Sequence, residues 1–195
     1  MAKLYFKYGA MGSSKTAQAL ITKFNYEERG MKVWLIKPAI DKRDGENVVK
    51  SRVGLCETCD VIEKDEELYE VFETKKISAD VIIADECQFF TEEQIYSLRR
   101  IVDEFDIPVL CFGLRTDFLS HLFEGSRRLF EIADSISEIK TICECGSKAI
   151  INARRGENMK IVTEGSQVML GGNDSYIAMC HKCWRDTIRR QSKNT

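Results

Sequence analysis

The sequence predicts an α/β fold, in which a parallel sheet flanked by helices is followed by a small cysteine-rich domain. Short apolar runs alternate with amphipathic segments over residues 1–142, which is typical of strand–helix–strand units. The runs at 81–85 and 107–113 are apolar almost throughout, as parallel strands buried on both faces are. Cysteine pairs, glycines and short β-like pieces replace this alternation from Cys143 onwards. We therefore place a second domain at residues 143–190, followed by a tail at 191–195.

Composition narrows the range of functions. The 195 residues suffice for one α/β domain with a small appendage. Lys plus Arg number 29 against 31 Asp plus Glu, and this near balance argues against a nucleic-acid-binding surface. No apolar run approaches the roughly 20 residues that span a bilayer, so we expect no membrane partner. The N-terminal residues show no signal-peptide pattern, which predicts a cytoplasmic protein whose eight cysteines include metal ligands.

The first half of the chain contains two predicted strands and two predicted helices. The strands are residues 4–8 and 32–37, and the helices are residues 15–28 and 63–72. The apolar stripe of the first helix is predicted to consist of Ala19, Leu20, Ile21 and Phe24. Residues 40–51 are polar and predict a mobile loop, whereas residues 53–62 are compatible with a strand or a hairpin.

The second half continues the alternation. Its predicted strands are residues 81–85, 107–113 and 136–142. Thr91 is placed to cap a helix that ends near Phe105, because acidic residues fill the first turn after it. Residues 118–133 predict a loop followed by a helix. With right-handed connections, these units build a parallel sheet that is covered on both faces.

Residues 9–16 form a small-residue loop between the first strand and the first helix. Loop N–H groups and a helix N-terminus together bind an anion, so this order predicts a nucleotide phosphate loop. Its residues are Gly9, Ala10, Met11, Gly12, Ser13, Ser14, Lys15 and Thr16. Lys15 would reach the outer phosphates and Thr16 would bind Mg²⁺. The usual pattern has Gly where Ser14 stands, and the alternative is a simple turn with a solvated Lys15.

Asp85 and Glu86 end an apolar strand. An acid in this position is placed to hold Mg²⁺ opposite the loop threonine. The second acid is free for a different role. It would accept the proton of a substrate hydroxyl in a kinase, or order an attacking water in an ATP hydrolase. The structural alternative is a solvated pair of acids at a strand end.

Two close cysteine pairs lie about 35 residues apart. Four thiolates at the tips of two turns make a closed, structural zinc site, which the small C-terminal region needs for stability. The predicted ligands are Cys143, Cys145, Cys180 and Cys183. Cys56 and Cys59 form another C-x-x-C pair, for which we favour free thiols at a strand or hairpin edge over zinc or redox use. Cys87 and Cys111 are predicted core residues.

These motifs, taken together and in order, resemble the zinc-containing thymidine kinase family shared by many bacteria and the animal cytosolic enzyme. The resemblance covers nearly the whole chain. Beyond residues 9–16 it rests on D-x-R at 41–43, S-R-x-G at 51–54, D-E-x-Q-F at 85–89, G-L-x-T-D-F at 113–118, and G-G-x-D-x-Y at 171–176 before the last cysteine pair. The chain departs from the family pattern at Ser14, at the short Cys143–Cys145 spacing, and at Asn152, where the family often has Thr.

The resemblance implies an activity and a set of roles. Glu86 would be the general base that takes the proton of the thymidine 5′-hydroxyl, so that the γ-phosphate of ATP passes to thymidine in nucleoside salvage. Residues 9–16 would bind ATP, with Asp85 on Mg²⁺ and with Asp41, Arg43 and Gln88 near the nucleotide. The implied thymidine-binding residues are Met11, Phe89, Leu114, Phe118, Asn152, Gln167, Val168, Met169, Leu170, Gly171 and Tyr176. A lasso over the nucleoside and a homotetramer are implied as well.

Two other classes of function remain open on the sequence. One is a nucleotide hydrolase or switch with a structural zinc ribbon, in which Glu86 orders water. The other is a non-enzymatic zinc-ribbon module that binds nucleic acid, against which the near-neutral charge argues.

Overall fold

The computed structural model describes residues 1–156, 159–168 and 175–193. These residues contain ten strands, five α-helices and one short 3-10 helix. In chain order they are β1 (Leu4–Tyr8), α1 (Lys15–Glu27), β2 (Val33–Pro38), β3 (Val48–Lys50), β4 (Cys56–Thr58), β5 (Asp60–Ile62), α2 (Leu68–Thr74), β6 (Val81–Ala84), the 3-10 helix (Cys87–Phe89), α3 (Glu92–Phe105), β7 (Val109–Gly113), α4 (Glu124–Ile132), β8 (Ser135–Glu138), β9 (Ile151–Arg154), β10 (Tyr176–Met179) and α5 (His181–Lys193).

A six-stranded sheet in the order β5-β2-β6-β7-β1-β8 forms the centre of the fold. Every strand pair in it is parallel. Central strands such as β6 and β7 are buried along their whole length, because side chains pack on both faces of the sheet. The predicted α/β class with helices on a parallel sheet is therefore confirmed. Strands β6, β7 and β1 are neighbours, so their carboxyl ends meet at one edge.

Helix boundaries follow local capping. The predicted cap at Thr91 is confirmed, since its side chain accepts a hydrogen bond from the Gln94 N–H at 3.1 Å and the Gln94 side chain accepts one from the Thr91 N–H. Helix α2 begins at Leu68 rather than at residue 63, because the Glu67 side chain caps it through the Glu70 N–H.

The predicted apolar stripe of α1 is only half correct. Ala19 and Leu20 are buried against the sheet, as expected. Ile21 is 50% exposed, because it lies about 100° around the helix from Leu20 and so turns away from the sheet. Phe24 lies one turn further along and is 57% exposed. These two side chains form an apolar patch on the outer face of α1.

Two strands fall where the sequence predicts otherwise. Strand β3 lies inside the predicted loop at 40–51 and pairs antiparallel with β4, because Val49 packs into the core beside Leu20. The Nζ of the buried Lys37 holds this segment by donating to the carbonyls of Gly45 and Val48, each at 2.8 Å. Strand β8 ends at Glu138, short of the predicted 142, because its partner β1 ends at Tyr8.

The C-terminal region is a two-stranded hairpin followed by a helix. Strands β9 and β10 are antiparallel, with Arg154 opposite Tyr176 and Asn152 opposite Ala178. Helix α5, which sequence reasoning did not predict, runs to Lys193. It therefore extends past residue 190, where we placed the end of the second domain. Ile151 and Ala153 pack in a small cluster with residues of α5 such as Trp184. Among the helices of the described ranges, none combines the length and apolarity needed to cross a membrane.

Candidate active site

The phosphate loop, residues 9–16, joins β1 to α1 at the edge where β6 and β7 also end. Gly9 permits the tight turn, because a Cβ there would collide with Ser13 Oγ and the Ile139 carbonyl. The buried Lys15 turns back over the loop and its Nζ donates to the carbonyls of Gly9 at 3.2 Å and Ala10 at 2.9 Å. Burial lowers the pKa of Lys15, although Glu86 and Asp85 oppose the shift. The predicted solvated alternative for Lys15 is therefore wrong.

Ser14 adopts a conformation that favours glycine. It precedes α1 with φ 62° and ψ 27°, in the left-handed region, and Gly12 has φ 72°. A side chain in this region costs about 1–2 kcal/mol. The position at which the usual pattern has Gly is therefore one at which the backbone requires a left-handed residue, and Ser14 is strained there.

Asp85 follows β6 and faces the phosphate loop. Its carboxylate is buried, and the Thr16 side chain lies beside it. Burial raises the pKa of Asp85 to about 7; the Glu86 charge adds to this shift, while Thr16 and Lys15 oppose it. A carboxylate and a hydroxyl are oxygen ligands of the kind that Mg²⁺ prefers.

Glu86 lies in the left-handed region, with φ 50° and ψ 34°. Each of its carboxylate oxygens has one donor: Arg43 Nη2 donates to Oε1 at 2.6 Å, and Gln88 Nε2 donates to Oε2 at 2.5 Å. Burial alone would raise the pKa of Glu86, but Arg43, Lys15 and Gln88 hold it below its usual value. Glu86 is therefore an ionised carboxylate aimed at the open end of the sheet.

Arg43 links Glu86 to the loop after β2. Its Nε donates to Asp41 Oδ1 at 2.6 Å, while Nη2 reaches Glu86. Burial would lower the pKa of Arg43, but the carboxylates of Glu86 and Asp41 raise it above its ordinary value. The side chains of Arg43 and Gln88 thus orient Glu86 from two sides, since Gln88 Oε1 also accepts from the Leu114 N–H at 2.9 Å.

Two cavities meet at this edge. The larger cavity has a volume of about 470 Å³ and runs along the phosphate loop and the β3–β4 hairpin. Of the predicted nucleotide-binding residues, those that line it are Met11, Gly12, Ser14, Lys15, Thr16, Asp41, Arg43 and Asp85. Gly9, Ala10 and Ser13 lie in the loop beneath it, and Gln88 lines the other cavity. Arg52, to which the sequence analysis gave no role beyond the S-R-x-G motif, also lines the larger cavity.

The smaller cavity has a volume of about 60 Å³ and lies on the other side of Glu86. The predicted substrate-binding residues that line it are Met11, Phe89, Leu114, Phe118, Asn152, Gln167, Val168 and Tyr176. Met169, Leu170 and Gly171 lie outside the described residues. Sequence reasoning missed Phe123, whose ring centre lies 5.6 Å from that of Phe89, and gave no role to Thr116 and Asp117 of the G-L-x-T-D-F motif.

Asn152 ties the C-terminal hairpin to the phosphate loop. Its Oδ1 accepts from the Met11 N–H at 2.8 Å and its Nδ2 donates to the Thr116 carbonyl at 2.7 Å. A threonine hydroxyl is shorter and has one donor, so Asn spans the two backbone groups with separate atoms. Arg154, two residues further on the same strand face, was also missed; alternation along β9 is the signal that could have found it.

The four predicted cysteine ligands come together at the base of the hairpin. Their sulfurs lie within 4.8 Å of one another, and Cys145 Sγ is 3.7 Å from Cys180 Sγ. A tetrahedral ion with Zn–S bonds of about 2.3 Å places its ligand sulfurs roughly 3.8 Å apart. The set of Cys143, Cys145, Cys180 and Cys183 therefore fits a structural zinc ion, despite the one-residue spacer. Cys56 and Cys59 are free thiols outside this cluster, at the edge of β4.

Two adjacent acids at the end of β6, facing a phosphate loop beside two adjoining cavities, define an α/β nucleotide-binding protein of the phosphate-loop class. The thymidine kinase family model matches residues 2–184. A thymidine kinase of Vibrio cholerae is 44% identical over 192 residues, covering 97% of this chain and all of the relative. The thymidine kinase of Legionella pneumophila is 47% identical, covering 92% of this chain and 88% of the relative. That of Enterobacteria phage T4 is 42% identical, covering 97% of this chain and 99% of the relative. The chain belongs to the thymidine kinase family.

Ser14→Gly should relieve backbone strain in the phosphate loop. We expect the free energy of unfolding to rise by up to about 1 kcal/mol, because Gly accepts positive φ but loses more entropy on folding. Kinase turnover should stay intact or rise modestly. Ser14→Ala, which keeps the Cβ, is the matched comparison and should show no gain in urea unfolding. A large loss of turnover in Ser14→Gly would mean that the hydroxyl has a role of its own.

Asp85 should make the stability of the ligand-free protein depend on pH. Its folded pKa of about 7 exceeds an unfolded value of about 3.9, so ionisation destabilises the fold increasingly as pH rises between those values. Asp85→Asn should therefore unfold at higher urea than the wild type at pH 8, with the difference shrinking towards pH 4. The exposed Asp65→Asn serves as the control. Equal stability of Asp85→Asn and wild type at pH 8 would contradict the shift.

Zinc binding should require the C-x-x-C pair of Cys180 and Cys183 but not the pair of Cys56 and Cys59. We expect about one zinc per chain in the wild type and in Cys56→Ser, measured after dialysis by elemental analysis. Cys180→Ser should lose most of the metal and melt at lower temperature, because the hairpin and α5 lose their common anchor. Zinc loss in Cys56→Ser, or its retention in Cys180→Ser, would show that the ligand set is different.

Proposed function

We propose that the protein is an ATP:thymidine 5′-phosphotransferase in which Glu86 is the general base. The observation that supports this most strongly is the position of Glu86, which lines both the larger and the smaller cavity. A donor nucleotide in one cavity and an acceptor nucleoside in the other would meet beside this carboxylate. Family membership supplies the two substrates, ATP and thymidine.

The larger cavity is the proposed ATP site. Its wall includes the N-terminal end of α1 and the cations Lys15, Arg43 and Arg52, which suit a polyphosphate. The Lys15 ammonium is bound to loop carbonyls. Phosphate oxygens would take over those hydrogen bonds and relieve the cost of burying the charge without an anion. Asp41 lines the same wall and holds Arg43 in place.

The smaller cavity is the proposed thymidine site. Aromatic rings from Phe89, Phe118 and Tyr176 surround it, and the amide side chains of Asn152 and Gln167 lie at its wall. A flat base suits the rings and the amides suit its polar edge. Since ligand sites usually exceed roughly 300 Å³, a cavity of about 60 Å³ must widen before a nucleoside enters.

Glu86 would act on the acceptor hydroxyl. It is ionised at neutral pH, because Arg43, Lys15 and Gln88 hold its pKa below the usual value. One carboxylate oxygen accepts the 5′-hydroxyl proton as the new O–P bond forms and the bond to the leaving ADP oxygen breaks. To do so, that oxygen must exchange its present donor, Arg43 or Gln88, for the substrate hydroxyl.

Mg²⁺ is proposed to bind with ATP at Asp85 and Thr16, whose neighbouring carboxylate and hydroxyl are suitable oxygen ligands. The ion would supply charge neutralisation on the phosphates. Asp85 and Glu86 then have different roles, because the first holds a cation whereas the second moves a proton. This division explains why two adjacent acids occupy the end of one strand.

We also propose a cytoplasmic homotetramer that does not bind nucleic acid. The exposed apolar patch formed by Ile21 and Phe24 on α1 supports a contact between subunits. None of the eight cysteines, all of which lie in the described residues, forms a disulfide, which suits a reducing compartment. A net charge of −2 does not favour nucleic acid. The boundary between residues 142 and 143 remains our proposed domain division, with the zinc cluster beginning at Cys143.

Glu86→Gln should separate binding from chemistry. The amide keeps the shape of the side chain but cannot take a proton, so we expect kcat for thymidine to fall about 100- to 10,000-fold. The affinity for ATP, measured by calorimetry, should change little. Glu93→Gln, an exposed change in the first turn of α3, is the control and should match the wild type. Near-normal turnover of Glu86→Gln would rule out Glu86 as the base.

A further inference from the structure

Arg154 is a buried cation whose position is not explained by the chemistry proposed above. It is 3% exposed and lies on β9. It is not among the described residues that line the two cavities, so the roles proposed above do not include it. Residues 152 and 154 share one face of β9, and that face is turned towards the smaller cavity. Arg154 therefore lies directly behind the wall to which Asn152 belongs.

The guanidinium of Arg154 bonds to three separate parts of that wall. Nε donates to the Tyr176 hydroxyl at 2.9 Å, Nη1 donates to the Ser166 carbonyl at 3.0 Å, and Nη2 donates to the Gln167 carbonyl at 3.2 Å. Its carbon Cζ lies 3.8 Å from the centre of the Phe118 ring. Phe118, Gln167 and Tyr176 all line the smaller cavity. One side chain thus positions three residues of the proposed thymidine site.

A lid segment, residues 162–168, depends on these bonds. Its first hydrogen bond to the hairpin runs from the Val162 N–H to the Arg154 carbonyl at 2.9 Å. At its far end, Gln167 Nε2 donates to Asp117 Oδ2 at 3.0 Å, across the cavity. The Asp117 carboxylate is itself held by the N–H groups of Leu119 and His121. The lid segment is therefore fastened to the hairpin by Arg154 and to the opposite wall by Gln167.

The contact with the Arg154 guanidinium also fixes the orientation of the Phe118 ring. Because the guanidinium covers one face of the ring, only the other face and the edge are available to a ligand. A planar cation on the back of the ring also holds the ring still without a further hydrogen bond. A base that packs on Phe118 would therefore meet a ring whose angle Arg154 has set.

The energetics of Arg154 suit a lid that opens and closes. In the described residues its hydrogen-bond partners are one hydroxyl and two carbonyls, so burial of its charge is balanced only by dipoles and ring faces. When the lid segment moves outward, water can replace the lost bonds to the guanidinium. The difference between the closed and open states is then small, which is what entry of a nucleoside into a cavity of about 60 Å³ requires.

We propose that Arg154 is the positioning residue that closes the lid segment over the nucleoside and orients Phe118 beneath it. This inference rests on the proposed function, since it assigns the smaller cavity to thymidine. It is a role in binding the acceptor and not in chemistry or in ATP binding. Loss of the guanidinium should therefore act on KM for thymidine more than on any other parameter.

The test compares Arg154→Met with Arg154→Lys and with Arg155→Met. Arg155 is the matched control, because it is the next residue and its ion pair, with the exposed Glu144 at 4.0 Å, lies on the surface. Arg154→Met should raise KM for thymidine about tenfold or more, as expected when bonds to a charged group are removed, with little change in ATP affinity. Arg154→Lys, which cannot form the fork, should recover only part of the loss. Arg155→Met should match the wild type.

Hydrogen exchange of residues 161–168 gives a readout that is independent of activity. Exchange should speed up in Arg154→Met and stay normal in Arg155→Met, at equal zinc content. Gln167→Leu, at the opposite end of the lid segment, is a second variant if Arg154→Met folds poorly, and it should also raise KM for thymidine and speed exchange. Unchanged KM and exchange in the folded Arg154 variants would overturn the proposal. Failure of the wild type to phosphorylate thymidine would instead refute the proposed function, and the exchange result would still report on how Arg154 holds the lid segment.

Discussion

The paired charges at the carboxyl edge of the sheet are the interaction on which the rest of the structure depends. Lys15, Arg43, Asp85 and Glu86 lie within a few residues of three strand ends and are mutually coupled. Asp41 also pairs with Arg43, so two cations face three carboxylates, and this near balance of charge lets Lys15 and Asp85 stay buried without a ligand. That balance is imperfect, since Asp85 is pushed towards neutrality while Glu86 is kept ionised.

The imperfect balance has a functional consequence. The raised pKa of Asp85 indicates that its carboxylate lacks a neighbouring cation strong enough to stabilise its charge. The Lys15 ammonium bonds only to loop oxygens and so lacks an anion. The proposed magnesium nucleotide would supply both ions at once. Strain at Ser14 and Glu86, both in the left-handed region, lies at the same edge. Backbone strain therefore lowers the free energy of unfolding at the positions that a nucleotide would contact.

The C-terminal hairpin, although far away in the sequence, contributes Asn152 to this edge of the sheet. Asn152 is fastened to the phosphate loop through Met11 and to the loop after β7 through Thr116. The cysteine cluster holds the ends of the hairpin together, so a zinc ion would stabilise the position of Asn152 as well as the fold of its own region. A metal bound there would therefore support the proposed nucleoside side of the site without contacting a substrate.

Local patterns predicted much of the molecule, whereas long-range contacts escaped prediction. The phosphate loop, the acids after β6, the cap at Thr91 and the four cysteines were all visible as short motifs, because each depends on neighbouring residues. The hairpin at β3, the exposure of Phe24, helix α5 and the role of Arg154 depend on partners far away in the chain. Period-two alternation marks Arg154 as facing the site, but it does not reveal the carbonyls that the side chain reaches.

The fate of the γ-phosphate tests the central claim most directly. ATP labelled at the γ-position is incubated with the wild-type protein, with and without thymidine, and the products are separated. If the two cavities hold donor and acceptor on either side of Glu86, the label moves to the 5′-oxygen of thymidine and ADP accumulates in equal amount. Label released as inorganic phosphate at the same rate with and without thymidine would contradict that arrangement.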